Sequence, residues 1–369
     1  MRICFDARKI ADFGIGQYIQ NLLPALLGLN ETFSLELLIH PHTPDGLVPR
    51  DDRVRTSLLR AKVYSVQEQF SLPWKASRLR PDVIHVPHYN IPVLARGPLV
   101  ATVHDLIHLR FKGQVPSLLA RTYASAMFFL LAKRCRKMIA ISECTANDLR
   151  MLAGADREKI ETIPYGRDER FQPDKEEPCM DIPGVGPGQR VLLVVGNCKP
   201  HKNVEVVLDA IAGIPSPRDF KLVVAGGAFP DRSRVGARAV VNKVMEDVVL
   251  LGPVPHERLP GLYRRATALA FPSLYEGFGL PPLEAMCSGC PVLASTAASI
   301  PEVVGDAVWN LSPTDVSQWR EAILEIMSNE ARRRKLKEKG LEQAKRFSWA
   351  RTAEETFRVY REAAGGGSR

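Results

Sequence analysis

No stretch of this sequence approaches the ~18 consecutive apolar residues that a membrane-crossing helix needs, and no such helix is expected. The chain opens on Met1-Arg2-Ile3-Cys4-Phe5-Asp6, which reads as a strand from its second residue and leaves no room for a secretory leader, so a cytoplasmic protein is expected. Cysteine is sparse. Its seven residues are odd in number and scattered, which argues against a disulfide framework and fits reduced thiols. Cys287-Ser288-Gly289-Cys290 spells C-x-x-C, but no partner pair or thioredoxin-like setting accompanies it, and a structural role is expected. Nucleic-acid-binding motifs are absent, as are basic runs interleaved with aromatics, so no nucleic acid partner is expected. A dinucleotide fingerprint is missing as well. Gly14-x-Gly16 follows the first strand, but Ile19 stands where a third glycine belongs, and no acidic residue ends a second strand about 20 residues on.

What is present describes an ordinary globular protein of some size, with 45% apolar and 25% charged residues. At 369 residues the chain exceeds the ~250–300 at which single cores stop growing, so two domains are expected. The net charge of +9 favours acidic partners such as nucleotide phosphates or an anionic lipid surface.

Apolar runs alternate with amphipathic ones over residues 1–172, the pattern of a parallel sheet covered on both faces. Arg2–Asp6, Leu35–Ile39, Asp82–Tyr89, Leu99–Val103 and Met138–Ser142 read as strands. Tyr18–Leu27, interrupted by Pro24 and ended by Gly28, and Leu118–Leu131 read as helices, and Ser142 is placed to cap another. Residues 173–189 are rich in proline, glycine and charge and read as a linker. A second α/β domain over 190–346 shows strands at Arg190–Gly196, Phe220–Gly227, Val248–Leu251, Thr267–Phe271 and Pro291–Ser295. It shows helices at Val204–Ile211 and, as a pair, within Pro313–Lys345. An amphipathic helix fills 347–364, and residues 365–369 read as a disordered tail.

Two strands of the first domain end in polar residues, at His85, His88 and Tyr89 and at His104-Asp105, on the edge where open α/β sheets bind ligands. A structural histidine, with Asp105 orienting it or capping the next segment, is the alternative. From Arg110 to Lys137 there are seven basic residues and no acidic one around an apolar helix. Either this is a surface for anionic membrane, or it is a sheet-covering helix with a solvated basic end. In the second domain, a strand, a glycine, Lys199, Lys202 and a helix start describe a phosphate cradle, unless the lysines are merely solvated in a turn. A second such cradle follows Phe271, where a glycine loop leads to a helix starting at Pro281-Pro282 and stopping at Gly289. Glu276 and Glu284 flank it, eight positions apart, and suit a ligand with hydroxyls on both sides of its phosphates. The plainer alternative makes Glu276 a loop cap and Glu284 a first-turn carboxylate favoured by the helix dipole.

The run Phe271-Pro272-Ser273-Leu274-Tyr275-Glu276-Gly277-Phe278-Gly279-Leu280-Pro281-Pro282-Leu283-Glu284-Ala285-Met286, then Gly289-Cys290-Pro291-Val292 and Pro301-Glu302-Val303, resembles the E-x7-E signature of the retaining glycosyltransferases of family 4. Thr102-Val103-His104-Asp105-Leu106-Ile107-His108 resembles that family's H-D element, and Glu161-Thr162-Ile163-Pro164-Tyr165-Gly166 its approach to the interdomain linker. The resemblance implies the GT-B fold: α/β, two Rossmann-like domains facing a cleft, with the last helix crossing back to the first domain. It also implies roles. Gly14 and Gly16 approach the donor phosphate or acceptor, and His104, with Asp105 beside it, contacts the donor sugar. Lys202 neutralises the diphosphate, backbone near Gly252 to Val254 meets the base, and the amides from Gly277 through Phe278 and Gly279 to Leu280 meet sugar and phosphate. Glu276 sits by the sugar and Glu284 holds the ribose. One departure stands out. Asn197 occupies the position after the glycine where the family usually has a basic residue, which leaves open whether Lys199 substitutes.

The implied reaction is transfer of a hexose from a nucleoside-diphosphate sugar to a hydroxyl acceptor, a glycan or lipid-linked saccharide, with retention at the anomeric carbon. Gly196-Asn197-x-Lys199-Pro200-His201-Lys202-Asn203 resembles mannosyltransferase-type members, making GDP-mannose the first expectation for the donor. No nucleophile is apparent, so the leaving phosphate is expected to take the acceptor's proton. The sequence contains no Asp-x-Asp, the usual carboxylate pair for a metal-bound nucleotide sugar, so charge falls to lysine and amides, and neither a metal nor a cofactor is expected. Two other readings keep the same fold: a nucleotide-sugar epimerase, and a non-catalytic nucleotide-sugar-binding subunit. A position at the inner face of the membrane, through the basic 110–137 stretch, is the associated expectation.

Overall fold

The protein was analysed as a computed structural model that describes residues 1–111, 117–173, 179–227 and 231–365. The chain divides into two compact units, one made of Met1–Gly166 and the segment from Phe347 onward, the other of Arg167–Arg346.

The first unit holds β1 (Arg2–Asp6), α1 (Ile15–Leu27), β2 (Ser34–Ile39), β3 (Val54–Leu58), α2 (Glu68–Leu79), β4 (Val83–Val86), β5 (Leu99–Val103), α3 (Ile107–Arg110), α4 (Leu118–Arg134), β6 (Lys137–Ala140), α5 (Glu143–Ala153) and β7 (Ile160–Thr162). All its strands are parallel, in the order β3-β2-β1-β4-β5-β6-β7. The central strands β4 and β5 are buried along their whole length, His85 and Thr102 included, so they lack the alternation of a half-exposed strand. Ser142 caps α5, accepting from the Thr145 amide at 3.0 Å.

Several boundaries differ from the sequence reading. β4 ends at Val86, so Pro87, His88 and Tyr89 belong to the loop beyond it. α1 starts at Ile15, three residues early, and takes Gly16 into its first turn. Gly28 ends α1 in a right-handed rather than a left-handed conformation. β3, α2, α3 and β7 were not anticipated.

The second unit holds β8 (Arg190–Val195), α6 (Val204–Ala212), β9 (Phe220–Ala225), α7 (Asp231–Val241), β10 (Val248–Gly252), α8 (Leu259–Arg265), β11 (Ala268–Phe271), α9 (Leu280–Cys287), β12 (Val292–Ser295), α10 (Ile300–Val304), β13 (Trp309–Leu311), α11 (Val316–Ser328) and α12 (Glu330–Ala344). Its strands are also all parallel, in the order β10-β9-β8-β11-β12-β13. In each unit the first strand lies between the second and the fourth, the doubly wound order in which ligands bind at the carboxyl ends where the winding reverses. Those switch points fall between β1 and β4 and between β8 and β11.

α13 (Trp349–Gly365) rejoins the first unit and packs on α1. Thr352 donates to the Pro164 carbonyl at 2.8 Å, and the Trp349 ring stacks on Tyr165. A side chain on Gly166 would overlap the backbone of Trp349. Gly365 ends this helix, and the rest of the expected tail, 366–369, lies outside the described residues.

Candidate functional site

In the second unit the loops after β8 and β11 meet at the switch point. Gly196 leaves β8 at φ 153°, and the chain makes a tight turn over Pro200–Lys202 before α6. The turn is tied to the neighbouring loop by its backbone: the Leu274 amide donates to the His201 carbonyl at 2.7 Å. Asn203, left-handed at φ 54°, sends its side-chain amide to the carbonyls of Pro272 (3.1 Å) and Pro313 (2.7 Å). The Lys202 side chain runs past Gly196, and its ammonium reaches the Glu276 carboxylate at 2.6 Å, 5.7 Å from the centre of the Phe271 ring. Two residues 74 apart in sequence thus form one ion pair, each side chain only about one-seventh exposed (15% and 13%). Glycine is required beside them. A side chain on Gly226, at φ 102°, would collide with the Gly196 carbonyl.

Asn197 and Lys199 stand on the rim of this turn, both exposed, with the Lys199 amide donating to the Asn197 side chain at 3.2 Å. The loop Gly277-Phe278-Gly279 is pinned from below, since the Ser299 hydroxyl donates to the Glu276 carbonyl at 2.9 Å and the Phe278 carbonyl at 3.1 Å. Gly279, at φ 113°, precedes α9. Pro281 and Pro282 have no amide hydrogen, so the first turn offers an N–H only at Leu280, fewer donors than an ordinary helix start.

Glu284 sits in α9 with partners of its own. Tyr263 donates to its Oε2 at 2.8 Å, and His256 Nε2 lies 3.6 Å from its Oε1. His256 begins the turn that follows Val254, a half-buried residue just beyond β10, so the extended segment after β10 and the Glu284 carboxylate border one another. The two glutamates are therefore separately held, Glu276 by lysine and Glu284 by tyrosine and histidine. Ser299, His256 and Tyr263 were missed in the sequence because each acts through a partner at least 21 positions away. Cys287 and Cys290 are buried free thiols, both pushed up to about 12 by that burial, which fits a structural role.

In the first unit, Gly14 precedes α1 at φ 62° and has open space around it. Gly16 has none, for a side chain there would stand 2.7 Å from the Ile10 carbonyl. Tyr18, two residues on, packs edge-on against His104 with ring centres 5.2 Å apart. His104 Nε2 lies 2.9 Å from the Pro87 carbonyl, which can only accept, so Nε2 carries the proton and Nδ1 accepts from the Tyr165 hydroxyl at 2.5 Å. Both ring nitrogens are thus engaged by the protein. Asp105 accepts from the Ile107 amide at 2.9 Å, at the start of α3.

A buried charge network lies at the same sheet edge. Arg8 grips both oxygens of Asp6 and also pairs with Glu68. His88 Nε2 lies 3.3 Å from Asp6, and Asn90 donates to Glu68 at 2.5 Å. Burial alone would raise the Asp6 carboxyl, but the Arg8 charge and hydrogen bonds hold it well below the usual carboxylate range. Asp6, Glu68 and His88 offer donor atoms within 4.8 Å of one another, as a metal site would, but Arg8 already occupies the space between the carboxylates.

Burial pushes His85 down to about 3, and His104 and His201 down to about 4. Each is neutral in the folded chain at a pH where the unfolded chain, with histidine near ~6.5, is protonated. The unfolded state then binds more protons, so stability is fully present above about pH 6.5 and is lost as pH falls towards about 4. Thermal unfolding across that window should show Tm falling steadily, and a flat Tm would contradict the burial of these rings.

Residues 14–171 match the family described as Glycosyltransferase Family 4, and residues 179–343 match Glycosyl transferases group 1. D-inositol 3-phosphate glycosyltransferases of Nocardia farcinica and Saccharomonospora viridis are 31% and 30% identical to the chain, over 72% and 76% of its length. The chain covers 61% of the first and 70% of the second. O-antigen chain mannosyltransferase B of Escherichia coli is 28% identical over 94% of this chain and 96% of its own. Among solved structures, sucrose-phosphate synthase from Thermosynechococcus elongatus superposes with a TM-score of 0.79 at 22% identity, covering 100% of both chains, a likeness of fold.

Proposed function

The chain belongs to the group 1 glycosyltransferases, with a family 4 domain ahead of the group 1 domain, and from that premise we propose that it transfers mannose from GDP-mannose to a hydroxyl acceptor with retention of anomeric configuration. The observation that carries the donor half of this reading is the Lys202–Glu276 pair at the β8/β11 switch point. An ammonium held there by a carboxylate is a ready partner for a diphosphate, and the loop amides from Gly277 to Leu280 add further donors. Glu284, held by Tyr263 and His256, is the group we assign to the ribose hydroxyls, and the segment from Gly252 to Val254 to the base. Asn197 and Lys199 supply the outer contacts to the diphosphate. Gly14 and Gly16 serve the donor phosphate or the acceptor, and His104, a neutral ring in a fixed tautomer with Asp105 beside it, serves the transferred sugar.

A mannosyl donor is supported by the likeness to the O-antigen chain mannosyltransferase over nearly the whole of both chains. The acceptor is read as a glycan or a lipid-linked saccharide, reached from the inner face of a membrane. With no Asp-x-Asp in the chain, the diphosphate charge falls to Lys202 and the amides, and transfer is proposed to need no metal.

Thermal unfolding with GDP, UDP, ADP, dTDP and their common sugar conjugates, without and then with magnesium, tests the donor. A ligand at ~100 times its Kd stabilises a fold by ~2.7 kcal/mol, a shift that a melting curve resolves. The expected result is a shift with GDP and GDP-mannose that magnesium does not change. A shift with another base replaces the donor, a requirement for magnesium removes the metal-free reading, and no shift with any of them removes the site.

A further inference from the structure

The positive charge of this chain is concentrated in one segment. From Arg60 to Lys137 there are thirteen Lys and Arg against three Asp and Glu, a net of +10 where all 369 residues carry +9. The three carboxylates are engaged within the chain: Glu68 by Arg8, Asp82, itself exposed, by the Arg2 amide, and Asp105 by the Ile107 amide. Arg110 and Lys137 are neutralised, by Asp148 and by Glu161 and Glu362. Lys75, Arg78, Arg96, Arg121 and Lys133 have no carboxylate partner among the described residues.

The same segment exposes large apolar side chains in register. On α2, Phe70 and Trp74 stand one turn apart and 63% and 56% exposed, with Arg78 a further turn on and its guanidinium 3.9 Å from the Trp74 ring centre. On α4, Met127, Phe128 and Leu131 face the sheet, yet Leu119 and Phe129 on the opposite side are also apolar, 81% and 55% exposed. Large apolar side chains on the face turned away from the sheet depart from the polar outer face of an ordinary amphipathic helix. The two helices are joined by the segment between them. The Gln69 side chain bonds the Ile91 carbonyl and the Val93 amide, each at 3.0 Å, and Arg134 bonds the carbonyls of Val93 and Ala95. Leu94, 57% exposed, therefore lies between α2 and α4, and the apolar residues form one surface rather than isolated spots.

We propose that this α2–Leu94–α4 face is the surface by which the protein lies on an anionic lipid bilayer, with Trp74, Leu94 and Phe129 entering the interface and Arg78 and Lys133, each stacked on one of those rings, meeting phosphate headgroups. A soluble acidic partner would satisfy the cations and leave the rings in water, and an apolar partner would do the reverse. Rings and leucines interleaved with unpaired cations match the boundary where headgroup meets acyl chain. The proposal rests on the reading of a membrane-side acceptor, and it places that contact on two helices and a loop rather than on residues 110–137 alone.

Flotation of the full-length protein with vesicles tests it, using phosphatidylcholine alone and phosphatidylcholine mixed with phosphatidylglycerol. Binding is expected only to the mixed vesicles and should weaken as salt rises. Trp74→Ser combined with Phe129→Ser should lower the bound fraction at least ~10-fold, and so should Arg78→Glu with Lys133→Glu. Both variants should keep the wild-type melting shift with donor nucleotide, which shows that they are folded. Equal binding to both vesicle types, no binding to either, or unchanged binding by either variant overturns the proposal, as does a concentration-dependent dimer that the same substitutions abolish. Vesicle binding with no donor shift removes the donor assignment and leaves this surface standing.

Discussion

Lys202→Met is expected to lower the turnover of sugar transfer by about 10²–10³-fold, the usual cost of removing one preorganised group that stabilises developing charge. When the bond between sugar and diphosphate breaks, negative charge grows on the phosphate oxygens, and a cation aimed at them is worth more in the transition state than in the ground state. The surroundings of Lys202 suit that task. Its stem lies along Gly196, its ammonium is held 2.6 Å from Glu276, and the pair is largely withdrawn from water. Methionine keeps the stem and deletes the charge. The loss should therefore fall on kcat, with a smaller change in the affinity for the sugar donor. Steady-state kinetics beside nucleotide titration would show the split. A variant with wild-type kcat would mean that the diphosphate is stabilised elsewhere, with Lys199 the first place to look.

Arg8→Met is expected to be the most destabilising single change in the first unit, by about 3–5 kcal/mol, because removing one partner of a buried ion pair strands the others. Here two carboxylates would be stranded at once. Asp6 and Glu68 are each almost wholly buried, and the Arg8 guanidinium is bonded to both and also to the Ala61 carbonyl at 2.9 Å. The chain's alternative is to protonate them, so the variant should be least impaired at acid pH, opposite to the trend expected of the intact protein. Denaturant unfolding at neutral and mildly acid pH measures both. A loss below about 1 kcal/mol at neutral pH would show that water or rearrangement relieves the carboxylates. Replacing Arg8, Asp6 and Glu68 together by apolar residues of similar volume should recover most of the loss.

The residues that govern these two outcomes differed in how plainly the sequence announced them. The strand, loop and helix start after Phe271 were legible because their parts are consecutive: strand, glycines, two prolines and a glutamate within a few positions, each with a local reason. Lys202 was legible for the same reason, as a lysine in a turn between a buried strand and a helix. Its pairing with Glu276 was not, since no local rule relates residues 74 apart. The Arg8 network was wholly hidden, because its members come from β1, the start of α2 and the loop after β4, brought together only by the winding of the sheet. Two of the elements that escaped the sequence reading failed for identifiable reasons. β3 is an edge strand with no fully buried residue, so it lacks an apolar pattern. α2 contains Pro73 and carries aromatic residues on its outer face, where an amphipathic helix would carry polar ones. That anomaly is what marks the proposed lipid-facing surface.

The return of α13 to the first unit has a consequence for how the protein is made. In chain order the second unit is an insertion of 180 residues, Arg167–Arg346, into a unit whose last helix is translated only after that insertion. At bacterial or eukaryotic elongation rates, roughly 10–40 s separate Gly166 from Phe347 on the ribosome. Throughout that interval the groove that receives α13 stands open, with His85 lacking the Tyr360 hydroxyl that bonds it at 2.5 Å and Tyr165 lacking its stacked tryptophan. The second unit has all of its strands synthesised before the first can close. Nascent chains long enough to free Arg346 from the ribosome while α13 is still inside it should therefore carry a finished second unit and a first unit with a large apolar groove, which is the form of this protein that a chaperone would meet.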